Sequence, residues 1–274
     1  MKFPFVKMSG AGNDFIMVEH DRFAGMGERD IGRVVAELCV RRLSIGADGL
    51  VTLKVTGENR VRMIYFNADG SRAGMCGNAG RCASRYAFRE GWAAEALTLE
   101  ADDGVHRAEI VGDEVRLGMR DPRILNPSLE REYENRLLRG VWMDTGVPHV
   151  VFWVDDVEAV DVPGAGRSFR CAEEFQPEGT NVNFVEVRGP SVLRLRTYER
   201  GVEAETLACG TGAVAAAVAA HLDRGVPSPV SVRVRGGELE VRFRSSEGRV
   251  TDASLKGDAR VVYEGEVEIP IDRP

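Results

Sequence analysis

The chain has 274 residues, 43% hydrophobic and 29% charged, enough for two domains or one large one with a sizeable core. Its 43 acidic and 36 basic residues leave a net charge of −7, so no basic field attracts a phosphate backbone and nucleic acid is not an expected partner. The opening MKFPFVKMSGAGNDF lacks a signal-like apolar run and no later stretch approaches a membrane span; five cysteines without C-x-x-C spacing argue against a disulfide framework or zinc knuckle. A cytoplasmic protein is expected, with neither cofactor nor metal.

In chain order, Phe15–Glu19 reads as a strand, and Asp30 as the N-cap of a helix whose apolar face carries Ile31, Val34, Val35, Leu38 and Cys39. Strands are expected at Gly49–Val55 and Val61–Phe66. Cys76 then opens a helix that stops near Gly91. Further strands follow at Val105–Val111, Val150–Val154, Asn183–Val187 and Val192–Tyr198. Cys209 opens a helix stopped by Arg224-Gly225 with Pro227 beyond, and strands at Val230–Val234, Leu239–Phe243 and Arg260–Ile269 complete the chain. Turn signals between Pro122 and Pro127 suggest a boundary.

Two stretches say the same thing. A strand ends at a polar residue, Asn67 or Glu199, and nine or ten positions later a cysteine followed by glycine opens a small-residue helix. Ala213–Ala220 holds only alanine and valine, so that helix is expected to be buried on all sides. The fold class implied is α/β (α+β), with two pseudo-symmetric lobes, each a strand-rich layer wrapped around a central helix. The first lobe is placed at residues 1–120 with Cys76, joined by 260–274, and the second at 121–259 with Cys209.

A helix N-terminus favours a thiolate and binds carboxylates through its first-turn amides. Gly77 and Gly210 leave room for that approach. Two such helix mouths on either side of an α-carbon would let one thiolate remove a proton while the other thiol supplies one to the opposite face.

Three segments carry a resemblance to a known family: GAGNDF (10–15), FNADGSRAGMCGNAGRC (66–82) and YERGVEAETLACGTG (198–212). With IGADG (45–49), TGVPHVV (145–151) and GTNVNFVEV (179–187), nearly the whole chain resembles diaminopimelate epimerase. The resemblance implies a cleft between the lobes, a homodimer, and interconversion of LL- and meso-2,6-diaminopimelate in lysine and peptidoglycan precursor synthesis without pyridoxal phosphate. It implies Cys76 and Cys209 as the acid/base thiols, and Gly77, Asn78, Gly210 and Thr211 as the cradle of the reacting carboxylate. It makes His149 and Glu199 the groups that tune the thiols and hold the amino group, and Asn13, Asn67, Asn181 and Arg200 readers of the rest of the substrate. The family often has asparagine where this chain has Val147 and glutamine where it has Gly49, positions that bear on substrate choice.

Cys39, Cys82 and Cys171 read as small hydrophobes in the core. The alternatives are a related racemase acting on another amino acid and a nucleotide-binding turn at Gly210-x-Gly212-x-x-Ala215. The polar GVEAETLAC before that turn, and the lack of a following acidic residue at the proper distance, count against the nucleotide reading.

Overall fold

The computed structural model describes residues 2–268, and the part of the expected last strand and first lobe beyond them lies outside the described residues. The chain divides into two compact units, residues up to Leu117 with those from Gly257 onward, and Gly118–Lys256. Each unit repeats one strand order.

In the first unit, Arg260–Glu268 pairs with Lys2–Gly10, which pairs with Asn13–Glu19. Next come Gly49–Gly57 (parallel), Arg60–Asn67 (antiparallel), Ala96–Ala101 (parallel) and then Gly104–Val111 and Glu114–Gly118 (antiparallel). In the second, the corresponding order is Arg123–Tyr133, Arg136–Asp144, Pro148–Trp153, Asn181–Gly189, Val192–Glu199, Val230–Val234, Gly237–Ser246 and Arg249–Asp258. Parallel and antiparallel steps fall at the same places. The registers therefore assign counterparts: Phe15 pairs with Gly49 as His149 pairs with Asn181, and Val51 pairs with Tyr65 as Asn183 pairs with Thr197.

Among the described residues four α-helices accompany these strands: α1 Glu28–Leu38, α2 Gly77–Arg89, α3 Val162–Arg170 and α4 Gly210–Arg224. Each unit thus has a second helix besides the one that follows its cysteine. α1 buries Ile31, Val35 and Leu38 against Ile16, Val18, Leu50 and Phe66. α3 buries Val162, Ala165 and Phe169 against the counterparts of those strand residues, Val150, Phe152, Val182 and Tyr198. Because successive strand residues point to opposite faces, Phe15, Val51 and Tyr65, like His149, Asn183 and Thr197, face the other way.

Three expectations are corrected. The N-cap of α1 is Gly27, whose carbonyl accepts from the amides of Asp30 and Ile31; Asp30 sits inside the first turn, where its charge suits the helix dipole. The segment around Pro122–Pro127 is largely strand rather than turn. Pro127 lies where the pairing with Arg136–Asp144 shifts register between Gly140 and Trp142, a place where a missing N–H costs little. Cys171 is exposed at the C-cap of α3, whereas Cys39 and Cys82 are buried.

α4 meets the expectation of an all-round buried helix: every residue from Gly212 to Ala220 is buried, and Gly225 closes the helix in the left-handed conformation (φ 67°). α2 ends likewise, with Gly91 at φ 70° and the amide of Trp92 reaching back to Ala87 at 2.9 Å. Among the described residues, no helix is long and apolar enough to cross a membrane.

Candidate active site

Both cysteines stand at the N-cap. Cys76 (φ −135°, ψ 120°) and Cys209 (φ −116°, ψ 112°) have extended backbones, and their carbonyls accept the first helical bonds from Gly80 at 2.8 Å and Ala213 at 2.9 Å. Neither makes a side-chain capping bond. Serine, threonine, aspartate or asparagine would do so, typically for about 1 kcal/mol. α3 shows the ordinary arrangement, with the Asp161 carboxylate accepting from the Gly164 amide at 3.2 Å. The two cysteine helices forgo that cap.

Around Cys209 the second unit builds a buried polar chain. The Cys209 Sγ lies 3.4 Å from Thr211 Oγ1, which lies 2.9 Å from His149 Nε2. His149 Nδ1 lies 3.1 Å from the Asn183 Nδ2, which also donates to the Val150 carbonyl at 2.9 Å. Thr197 Oγ1 donates to Asn183 Oδ1 at 3.0 Å. His149 is fully buried, and burial first, then the charge of Arg200, pushes its pKa down to about 3 against the opposing pull of Asp144. It is a neutral imidazole at physiological pH. Thr145 Oγ1 ties the preceding turn to α4 by donating to the Thr211 carbonyl at 3.2 Å. A Cβ on Gly212 would stand 2.5 Å from Asn183 Oδ1 and 3.4 Å from the Cys209 sulfur, so the chain needs glycine there.

The other expected residues of this unit frame the same strand ends. The Asn181 side chain donates to the Pro148 carbonyl at 3.0 Å and accepts from the Arg200 amide at 2.9 Å, joining two loops. Arg200 donates from Nη1 to the Glu178 carbonyl at 3.0 Å. Glu199 is the half-buried last residue of its strand, and Gly210 and Thr211 open α4.

Around Cys76 the surroundings differ. Gly77 and Asn78 are buried at the start of α2, and the Asn78 amide donates to Asn13 Oδ1. Asn13 donates in turn to Asp48 Oδ2 at 2.9 Å. Arg41 bridges Asp48 and Asp14, and Lys7 pairs with Asp14 at 2.8 Å. Burial opposes ionisation of Asp14, but the bonds from Arg41 and Lys7 prevail and hold it below the usual carboxylate range. Asn67 ends its strand half-buried and donates to Ser71 Oγ at 3.0 Å. Gly49 is required by contact: its Cβ would stand 2.4 Å from the Phe66 carbonyl oxygen and 2.6 Å from the Tyr65 ring.

Arg81 lies wholly buried within α2, donating to the Asp258 and Gly77 carbonyls at 3.4 and 3.5 Å, while its Nη2 has no hydrogen-bond partner among the described residues. Burial lowers its pKa, against the attraction of Cys82, Asp258 and Cys76. Burial pushes the Cys82 thiol up to about 12, so it stays protonated beside that cation.

Asn183, Thr197, Arg81 and Asp48 are absent from the set expected from sequence. Two left a signal: an asparagine inside the apolar run VNFVEV, and an arginine in a helix of small residues.

The diaminopimelate epimerase family model matches residues 5–125 and 141–262. The chain belongs to the diaminopimelate epimerase family. It is 40% identical to the diaminopimelate epimerase of Aquifex aeolicus (95% of this chain, 96% of that one) and 41% identical to that of Chlorobaculum tepidum (96% and 100%). Solved structures share the fold at low identity. A Bacillus anthracis phenazine biosynthesis protein of the PhzF family superposes with a TM-score of 0.76 at 17% identity, covering 98% of this chain and 100% of that one. A hydroxyproline epimerase from Agrobacterium vitis superposes with 0.71 at 16%, covering 100% and 93%.

Proposed function

We propose that this member of the family interconverts LL- and meso-2,6-diaminopimelate by proton transfer between two thiols and the α-carbon. The observation that carries the reading is the duplicated N-cap cysteine, at Cys76 and Cys209, each on a helix that forgoes its ordinary cap. One cysteine enters as thiolate and takes the α-proton; the electron pair left on carbon delocalises into the carboxylate. The other, entering as thiol, delivers its proton to the opposite face and leaves as thiolate. Positioned acid/base groups give about 10²–10⁴-fold in rate, and electrostatic stabilisation must supply much of the rest. In this reading the first-turn amides of α2 and α4, with Gly77, Asn78, Gly210 and Thr211, supply it by holding the carboxylate. Glu199 pairs with the substrate ammonium, Arg200 with the distal carboxylate, and Asn13, Asn67 and Asn181 complete the fit. Assembly as a homodimer and residence in the cytoplasm belong to the same reading.

Incubation with diaminopimelate in deuterated water tests it. Deuterium should enter the α-position as the isomers interconvert. Exchange with a single-centre amino acid but not with diaminopimelate would transfer the mechanism to a racemase, and exchange with neither would overturn it. Sedimentation of the purified protein should give twice the chain mass.

A further inference from the structure

We propose that Asn183 is a positioning residue for Cys209: it holds His149 as the Nε2–H tautomer, and this leaves the Thr211 hydroxyl proton for the thiol sulfur. The argument is a count of protons. The Asn183 amide nitrogen has two, and the Val150 carbonyl at 2.9 Å, which only accepts, takes one. The other points at His149 Nδ1, 3.1 Å away, so that nitrogen accepts. Turning the amide over would set its oxygen against the Val150 carbonyl and its nitrogen toward the Thr197 hydroxyl, leaving two acceptors facing each other. The acceptor-only Val150 carbonyl therefore holds the amide the right way round, and the Thr197 hydroxyl donates to its oxygen at 3.0 Å.

With Nδ1 accepting, the imidazole proton sits on Nε2 and is donated to Thr211 Oγ1 at 2.9 Å. Threonine has a single hydroxyl proton. Because His149 does not need it, that proton is available to Cys209 Sγ at 3.4 Å. In the other tautomer Nε2 would claim it, and a thiolate at Cys209 would lose its hydroxyl donor. The charged groups that act on the imidazole, Arg200 and Asp144, oppose one another, and burial keeps the ring neutral. His149 is therefore a fixed donor in the relay and does not shuttle the proton of Cys209. In the first unit Phe15, Val51 and Tyr65 occupy the matching register positions.

The inference rests on reading Cys209 as one of the two proton-carrying thiols, but its test needs no substrate, so the two can fail separately. Long-range nitrogen–proton correlation NMR of the intact enzyme reads the His149 tautomer. The pH profile of iodoacetamide alkylation, resolved by peptide mass, reads each thiol. The wild type should show the Nε2–H tautomer across neutral pH. Asn183→Asp, which offers an acceptor to Nδ1, should convert it to Nδ1–H and raise the midpoint of Cys209 alkylation by about one pH unit, a tenfold loss of thiolate at neutral pH. Cys76 alkylation should stay unchanged. An Nδ1–H or doubly protonated His149 in the wild type overturns the proposal, whether or not the variant folds. An unaltered Cys209 profile in folded Asn183→Asp overturns it equally.

Discussion

The two units share strand order, strand direction and the cysteine helix, yet they surround their thiols with opposite chemistry. Behind Cys209 the register positions hold His149, Asn183 and Thr197, a neutral hydrogen-bonded chain. Behind Cys76 the same positions hold Phe15, Val51 and Tyr65, with Phe15 and Tyr65 packed edge to face at 6.0 Å. Five residues past Cys76 the helix carries Arg81, buried and cationic; five past Cys209 it carries Val214. One unit thus influences its thiol with a buried charge and the other with neutral dipoles. A duplicated fold conserves the placement of a reactive group, while the lining behind it is free to diverge.

The largest effect expected on this comparison comes from deleting either thiol. Cys76→Ala and Cys209→Ala should each lower interconversion of the isomers by roughly 10³-fold or more while both proteins stay folded. Near-normal turnover in either variant would break the equivalence of the two halves.

Acid should expose the second unit's neutral relay. The folded pKa of His149, about 3, lies below its unfolded value of about 6.5, so the unfolded state binds more protons in between. Stability from this group is present above about pH 6.5 and is lost as pH falls toward 3, at up to about 1.4 kcal/mol per unit. Urea melts at pH 7 and pH 4.5 should show this loss, and His149→Gln should flatten its share of the slope.

Giving the first unit the apolar character of the second at one position sharpens the contrast. Arg81→Met removes the buried cation but keeps much of its volume. It should move the alkylation midpoint of Cys76 upward by about one unit and leave that of Cys209 in place. Because an incompletely bonded buried charge contributes little net stability, the urea midpoint should shift only modestly. Matched shifts at both thiols would refute a local effect.

Gly212→Ala, expected to have the smallest effect on turnover, crowds the relay without removing any member. Its Cβ would press on Asn183 Oδ1, at a cost of about 1–3 kcal/mol of overpacking measurable in the same melts.

Much of this was legible in the chain itself. Strongly patterned runs such as Val61–Phe66 and Val192–Tyr198 announced their strands, and Gly225 its helix stop. α3 was not legible, because Pro163, Gly164 and Gly166 give it poor intrinsic helix propensity. It forms because Asp161 caps it and its apolar face covers the sheet, and a Cβ on Gly166 would stand 2.3 Å from the Tyr198 side chain. The strand Arg123–Tyr133 was hidden by Pro127, which a register shift accommodates.

The sequence by itself determined the family, the two N-cap cysteines and the repeated strand–cysteine–helix unit, because those rest on local spacing and on residues whose chemistry does not depend on neighbours. Only the tertiary structure decided that Asn183 faces His149, that Thr211 links it to Cys209, and that Arg81 is buried in α2. Those contacts join positions up to 177 residues apart through strand register and helix packing, and a side chain's role there depends on which donors and acceptors the fold brings within hydrogen-bond reach of it.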